Sequence, residues 1–484
     1  MGPGAENDNG ETGKSVMNIK LINPGYLDAD GRPSKIQKEI TAGLTLPYLA
    51  ALFPREHRIE IIEDDLEEID FDAPVDLVGI TAMTSRAPRA YQIADRFRAR
   101  KVPVVMGGFH VSALPDEALE HCDAVVQGEA EGLIDRIVAD TMAGRLRGVY
   151  KNDRLIDLSN LPVPRYDLLK MDNYIGPFYP IQATRGCPNQ CDFCAVSAFY
   201  GRRHRKRPVA DVIADMKQAG PFLFIIDDNL PVDRAYTLAL FEQMKPLKKL
   251  WGGQFNLAAA NDPELVKAAA DCGCLFLYLG VETVDPDNLK SSGKNINLRF
   301  PAAEAIRNLK RHHIEPWVSM IVGFDHDGPD TARKITHFCN HTRVPLLLLY
   351  ILTPVPGSPL FEKLVAQGVR LRKDWYLYDG THALFDTSRM TAADIDAMYA
   401  AVYGNVYGLP SILRRTLFPP HLLMALLNFI FRKGLKESLH PWMGTRVNRS
   451  LMRRWPPVMA AVLTHDGVKK ISKLVRYAEG RIIN

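Results

Sequence analysis

The residues best suited to chemistry lie in one stretch, IQATRGCPNQCDFCAVSAFYGRRHRKRP, running from Ile181 to Pro208. It presents Cys187, Cys191 and Cys194, separated by three and then two residues. Thiolates are soft ligands that suit iron–sulfur clusters. On one loop, these spacings let three sulfurs take three corners of a [4Fe-4S] cube. The fourth iron is then left without a protein ligand. The amino group and carboxylate of S-adenosylmethionine can chelate that open iron, and an electron from the cluster then breaks a carbon–sulfur bond. Structural zinc is the competing assignment, but it normally needs four ligands. The next cysteines, Cys272 and Cys274, lie on a different expected element. The other cysteines are scattered, and Cys272, Cys274 and Cys339 read as small buried hydrophobes. Seven cysteines without regular spacing do not form a disulfide framework, which points to a reducing, cytoplasmic setting.

Elements must hold this loop, and the chain supplies them in a regular rhythm. A strand is expected from Ile181 to Thr184, leading into the cysteines, with a helix from Val209 to Gln218 after them. Then come a strand at 222–229, a helix, a short strand in QFNLAAA, a helix from Pro263 and a strand at 275–283. A helix from Pro301, a strand at 315–324, a further helix and the run LLLLYILTPVPGSPL complete the pattern. Six βα units over residues 181–370 predict a partial (βα)6 TIM-type barrel with its site at the carboxyl ends of the strands. Upstream, residues 18–148 alternate apolar runs such as IKLIN, RIEIIE, DLVGITAM and VPVVMGG with helical patterns. That order predicts an α/β, doubly wound Rossmann-like parallel sheet. In such sheets ligands sit beyond the strand carboxyl ends. Here those ends are Thr81, Ala82 and Thr84, then Gly107, Gly108 and His110, then Gly128 and Glu129. No G-x-G-x-x-G follows the first strand, so the dinucleotide fingerprint is missing.

The bulk composition agrees with a multi-domain globular protein. The chain has 484 residues, 46% of them hydrophobic, and a net charge of +4 that gives no argument for a nucleic-acid partner. Residues 1–17 read as a disordered tail without a signal core, and residues 149–180 as an ordered, Pro-rich crossing segment. The basic hexamer from Arg202 to Arg207 reads as a solvated turn with one or two arginines facing anionic groups of the site. Residues 371–484 read as a mainly helical region with many aromatics near the substrate side. Within it, the apolar run from His421 to Phe431 is too short to span a bilayer. It reads as a buried helix of a cap or, less favoured, as a segment lying in a membrane interface.

The segments GLTLPYLAALF, GITAMTS, GGFHVSALPDEAL and VVQGEAEG, followed by LPVPRYDLL and the C-x-x-x-C-x-x-C loop, resemble the cobalamin-binding radical S-adenosylmethionine enzymes over about residues 18–370. The resemblance implies that the strand-end residues of the first domain hold the corrin ring and its nucleotide tail. The D-x-H-x-x-G signature of the mutases is absent, so a histidine on cobalt is not expected. His110 is the local candidate and is expected beside the corrin instead. The resemblance further places Phe193 beside the adenine, Asp227 and Asp228 at the methionine amino group, Glu282 at the ribose and Gly323 next to the adenine. It implies three cofactors: the cluster, S-adenosylmethionine and cobalamin. It also implies a flavodoxin or ferredoxin-type electron donor. Most characterised members are methyltransferases, so methylation of an unactivated carbon on a small-molecule or lipid-like substrate is the expected activity. Cyclisation, oxidation or rearrangement on the same scaffold is the alternative. A tRNA methylthiotransferase would need extra cluster cysteines before the barrel, where only Cys122 lies. A non-enzymatic cobalamin sensor would not need the cysteine loop.

Overall fold

The computed structural model describes residues 16–28 and 30–416. Six strands form the first sheet: β1 (Asn18–Asn23), β2 (Arg58–Glu63), β3 (Leu77–Thr81), β4 (Val104–Gly107), β5 (Ala124–Gln127) and β6 (Gly148–Lys151). They lie in the order β2-β1-β3-β4-β5-β6, and every pair is parallel. The chain reverses direction of winding at β1 and β3, which opens a crevice between their carboxyl ends. Near-continuous apolar runs suit a sheet covered on both faces. Ile19 and Leu21 pack with Leu46, Ala50 and Ile137 on one side, while Ile22, Val78 and Ile80 pack with Ile93 and Phe97 on the other.

The second sheet is the expected partial barrel. Its strands are β7 (Phe178–Ile181), β10 (Phe222–Ile225), β11 (Leu250–Phe255), β12 (Cys274–Glu282), β13 (Glu315–Val322) and β14 (Leu346–Ile351). All are parallel, in the order β14-β13-β12-β11-β10-β7. Between β7 and β10 a small antiparallel hairpin pairs β8 (Thr184–Arg185) with β9 (Arg205–Lys206), and the cysteine loop lies inside it. The helix Ala392–Val406 packs outside β14. Thr391 caps that helix through a capping box with Asp394. The helix also protects the sheet's edge: Tyr407 and, one turn earlier, Tyr403 donate their hydroxyls to the carbonyls of Leu347 and Leu349 at 2.6 and 3.3 Å.

Several expectations shift. The strand expected at Ile181–Thr184 ends at Ile181, because the buried Asp227 carboxylate takes the Ala183 N–H and the Thr184 hydroxyl and draws the chain away from β10. In QFNLAAA only Gln254 and Phe255 are strand. Asn256 accepts from the Ala259 N–H and starts the short helix Leu257–Ala260. The boundary expected at residue 148 falls on the first residue of β6, and Met17, assigned to the tail, is buried in the core. The interval His421–Phe431 lies outside the described residues. No helix among the described residues is long and apolar enough to cross a membrane.

Candidate active site

The cysteine loop is pinned from three sides. Gly186, with φ of +83°, turns the chain into Cys187, and its N–H donates to the Asp228 carboxylate at 2.9 Å. The Asn229 amide donates to the Cys187 sulfur at 3.3 Å. On the far side the Asp192 N–H meets the Ser292 carbonyl at 3.0 Å, and the Leu360 N–H meets the Asp192 carbonyl at 2.8 Å. Cys191 is buried, and Cys187 and Cys194 are half-buried. Among the described residues, no group of three or more His, Cys, Asp or Glu is arranged to hold a single metal ion. Three thiols spaced along one loop are the donor set of an iron–sulfur cube with one open iron. Burial pushes the Cys191 thiol up to about 12, with Lys294 the one cation that opposes the shift. A thiolate there therefore calls for the positive charge that iron supplies.

No pattern in the sequence marks Lys294, yet its ammonium lies 2.8 Å from the Glu282 carboxylate. Burial works against that charge, but Glu282 and the Cys191 and Cys194 thiols outweigh it and hold the lysine above its ordinary value. Glu282 itself has φ of +65°, at a register shift in β12, which is a strained position for a residue with a side chain. Phe193 meets Phe324 edge-on at 6.1 Å and packs with Leu352 and Leu360. Next to Phe324, Gly323 has φ of +98°, and its N–H donates to Asp327 at 2.8 Å. Phe193, Gly323, Glu282 and Lys294 thus gather around the cysteine loop at the carboxyl ends of the barrel strands.

Asp227 does not join them. It is 2% exposed, and both its oxygens are taken at 2.7 Å by Ala183 and Thr184, so it holds the loop's root and has no surface to offer a ligand. It caps no helix either; Asp233 caps the next one. Burial pushes its carboxyl up to about 7 from an ordinary 3.8, with no cation among the causes. A raised folded-state value means that its contribution to stability is fully present below about pH 3.8 and is lost as the pH rises through about 7. Asp227→Asn, neutral throughout, is therefore expected to gain on the wild type by roughly 2 kcal/mol between pH 5 and pH 8. Denaturant unfolding at the two pH values measures it; equal gaps at both would refute the assignment.

At the first sheet, Gly108 has φ of +100°, and an added Cβ would lie 2.8 Å from the Ala82 backbone. This glycine lets two strand-end loops touch. Gly128, with φ of +87°, has nothing within 4 Å of where its Cβ would be and leaves the backbone open to a flat ligand. Thr81 and Gly107 are half-buried beside it, Ala82 and Thr84 are buried, and Met83 projects 52% exposed. His110 is corrected. It is wholly buried, with Nε2 3.0 Å from the Tyr91 hydroxyl and 3.4 Å from the Glu117 carboxylate, and its ring edge meets Trp375. A side chain with no exposed surface cannot face the corrin.

Glu129 is corrected as well, and its true role joins the two domains. Its carboxylate accepts from Arg185 at 2.8 Å and from Arg205 at 2.9 Å through both of that residue's terminal nitrogens. Glu131 lies 2.6 Å from Arg185 and accepts the Tyr48 hydroxyl at 2.6 Å. Arg185 and Arg205 are the paired residues of β8 and β9, so two glutamates of the first sheet clamp the hairpin that carries the cysteines. Phe109 stacks on Phe199 at 4.2 Å beside them. Two arginines of the basic hexamer therefore meet protein carboxylates: Arg205 pairs with Glu129, and Arg207 with Asp215 at 2.5 Å.

Inside the barrel, Phe276 of β12 touches Phe178 of β7, Phe224 of β10 and Trp317 of β13, which floors the lumen with aromatic rings. Two residues nearer the carboxyl end, Tyr278 shares a hydrogen bond of 3.0 Å with Tyr350 across β13.

Comparison with known proteins agrees with this layout. Residues 40–138 match the B12 binding domain and residues 181–339 the Radical SAM superfamily. The chain is 30% identical over 410 residues to the bacteriochlorophyllide d C-12(1)-methyltransferase of Chlorobaculum tepidum, covering 82% of this chain and 88% of that one. It is 24% identical over 498 residues to the hopanoid C-2 methylase of Rhodopseudomonas palustris, covering 98% and 91%. Among solved structures, the radical S-adenosylmethionine methyltransferase TsrM from Kitasatospora setae superposes with a TM-score of 0.65 at 16% identity, covering 91% of this chain and 99% of that one. The cobalamin-dependent S-adenosylmethionine radical enzyme OxsB superposes at 0.60 and 13%, covering 97% and 80%.

Proposed function

Since the chain belongs to the cobalamin-dependent radical S-adenosylmethionine methyltransferases, we propose that it methylates an unactivated carbon on a flat, largely apolar substrate of tetrapyrrole or polycyclic-lipid type. The family's cofactors supply a deoxyadenosyl radical from the cluster side and a methyl group from the cobalamin side. The residues of this chain hold and separate them. Cys187, Cys191 and Cys194 carry the cluster. Lys294, Glu282, Phe193 and Gly323 surround S-adenosylmethionine, with the lysine facing its carboxylate and Asp228 bracing the loop. Thr81, Gly107 and Gly128 receive the corrin, with the buried Ala82 and Thr84 shaping the loop behind them. A flavodoxin or ferredoxin-type protein supplies the electron.

The observation that carries the substrate class is the barrel lumen. Its floor is aromatic, and above that floor stands the Tyr278–Tyr350 hydroxyl pair. Such a surface favours a large apolar ring system with a polar edge. The named relatives act on a bacteriochlorophyllide and on hopanoids. Cyclisation, oxidation or rearrangement is the weaker reading, because these relatives are methyltransferases.

The test is anaerobically reconstituted protein with cobalamin, a low-potential reductant and S-adenosylmethionine carrying a trideuterated methyl, offered a chlorophyllide or a hopanoid. The expected product exchanges one hydrogen for a trideuteromethyl group, with deoxyadenosine formed alongside, and Cys191→Ala yields neither. Deoxyadenosine with an unmethylated, altered product would overturn methyl transfer. Full activity without cobalamin would overturn the second cofactor.

A further inference from the structure

Three successive side chains after β10 meet successive points of the cysteine loop. Asp227 accepts from the Ala183 N–H and the Thr184 hydroxyl, Asp228 accepts from the Gly186 N–H, and the Asn229 amide donates to the Cys187 sulfur at 3.3 Å. The first two sets of partners are donors, which carboxylates suit. The third partner is a sulfur, and a cysteine that binds metal does so as the thiolate. A third carboxylate there would repel that charge. The chain carries an amide instead, and Asn229 is only 6% exposed, so water does little to weaken the contact.

A side-chain amide has a donor end and an acceptor end, so something must fix which of them meets the sulfur. The neighbouring strand does so. Asn256, just past β11, uses its carbonyl oxygen to accept the Ala259 N–H at 2.9 Å, where it caps the helix Leu257–Ala260. That bond turns its NH2 group toward Asn229, and it donates to Asn229 Oδ1 at 2.9 Å. With its oxygen facing Asn256, Asn229 has its NH2 end toward Cys187. One main-chain N–H thus dictates, through two amides in series, that the Cys187 sulfur meets a donor.

Hydrogen bonds to the sulfurs are among the terms that set the reduction potential of an iron–sulfur cluster. One added electron puts more negative charge on the thiolates. A donor on sulfur therefore favours the reduced form over the oxidised one and raises the potential. We infer that Asn229, with Asn256 as the positioning residue that orients it, raises the potential of the cluster on Cys187 and so makes it easier for the electron donor to reduce. The inference rests on the cluster assignment and is independent of which substrate is methylated.

The test is an anaerobic redox titration of full-length protein reconstituted with iron and sulfide, with the reduced cluster followed by electron paramagnetic resonance. Asn229→Leu is close in size and removes the donor. At a fixed solution potential its ratio of reduced to oxidised cluster is expected to fall about tenfold, a downward shift of about 59 mV for one electron. Asn256→Asp keeps a good helix cap but offers Asn229 an acceptor in place of a donor, so the Asn229 amide turns over and sets its carbonyl oxygen against the sulfur. Its ratio should fall at least as far, with iron content and unfolding midpoint at wild-type values. A merely structural role for the two amides would leave the potential of Asn256→Asp where it is. An unchanged or raised potential in that variant at full iron loading would overturn the inference, even if Asn229→Leu failed to hold iron. Wild-type protein that takes up no iron would instead overturn the cluster assignment, and this inference with it.

Discussion

Glu129→Ala is expected to destabilise the protein by about 3 kcal/mol and to let S-adenosylmethionine be cleaved without methyl transfer. Glu129 and Arg185 expose only 4% and 6% of their side chains, and Arg205 exposes 14%. Charges so buried are expensive to leave alone, so losing one partner weighs more than the pair is worth net. Arg185 keeps Glu131 after the substitution, but Arg205 keeps the Ile156 carbonyl and no carboxylate. Burial works to raise the Glu129 carboxyl, yet the two arginines outweigh it and hold it below its ordinary 4.5. A depressed value means that the stabilisation is present above about pH 4.5 and is lost as the pH falls below it, so the deficit of the variant should shrink in acid. The functional consequence comes from geometry. With the clamp loosened, the cluster hairpin no longer holds a set distance from the first sheet, and a radical made on one side misses the methyl group on the other. Two measurements check this: the denaturant midpoint, and the ratio of deoxyadenosine to methylated product. An alanine variant with the wild-type midpoint and ratio would remove Glu129 from this role. Arg205→Glu should not rescue it, whereas Glu129→Arg with Arg205→Glu should recover part of the coupling.

Gly186→Ala and Gly293→Ala are each expected to abolish cluster assembly with all three cysteines in place. Both glycines have positive φ, +83° and +74°, where a side chain costs about 1–2 kcal/mol. That alone is bearable. The decisive term is overlap: a Cβ at Gly186 would lie 2.4 Å from the Arg203 carbonyl oxygen, and one at Gly293 would lie 2.5 Å from the Gln190 carbonyl oxygen. Neither backbone can step aside. Arg203 leads into β9, which Glu129 clamps, and Gln190 directly precedes Cys191. Gly144 and Gly368 are the controls, with φ of +65° and +74° but open space around them. Alanine there should leave iron content unchanged. Iron and sulfide per chain after anaerobic reconstitution separate the cases, and full loading of Gly293→Ala would show that the loop can move.

How far the site could be read from the sequence depended on how local each part is. The cysteine triad was legible because its ligands share one loop, and the two sheets were legible because βα alternation repeats every few dozen residues. Pairings between distant segments were not. Glu129 meets Arg185 and Arg205 across 56 and 76 residues, and nothing in GEAE or in RRHRKR marks the match. Lys294 reaches Glu282 from a turn twelve residues on, where no periodicity operates. Asp227 and Asp228 are the same residue type side by side, yet one faces beneath the loop and the other its rim, and they lie past the end of β10, where no strand alternation tells them apart. His110 had the right strand-end position but turns inward, because Tyr91 and Glu117 offer it partners there.

The bond from the Trp375 indole to Glu117, 2.8 Å long, spans 258 residues. On the ribosome that interval matters. The first sheet emerges early, but the wall formed by Tyr91, His110 and Glu117 has no Trp375 against it until most of the chain has been made. At about 5–20 residues per second the gap lasts roughly 10–50 s. A nascent chain therefore presents an unfinished seam, with Glu117 lacking its indole donor and the His110 ring its edge contact, for far longer than a small domain takes to fold, and the excised first sheet would keep that seam permanently. Expression of residues 16–151 alone should consequently give a domain that aggregates, whereas chains extended past Trp375 close the seam themselves.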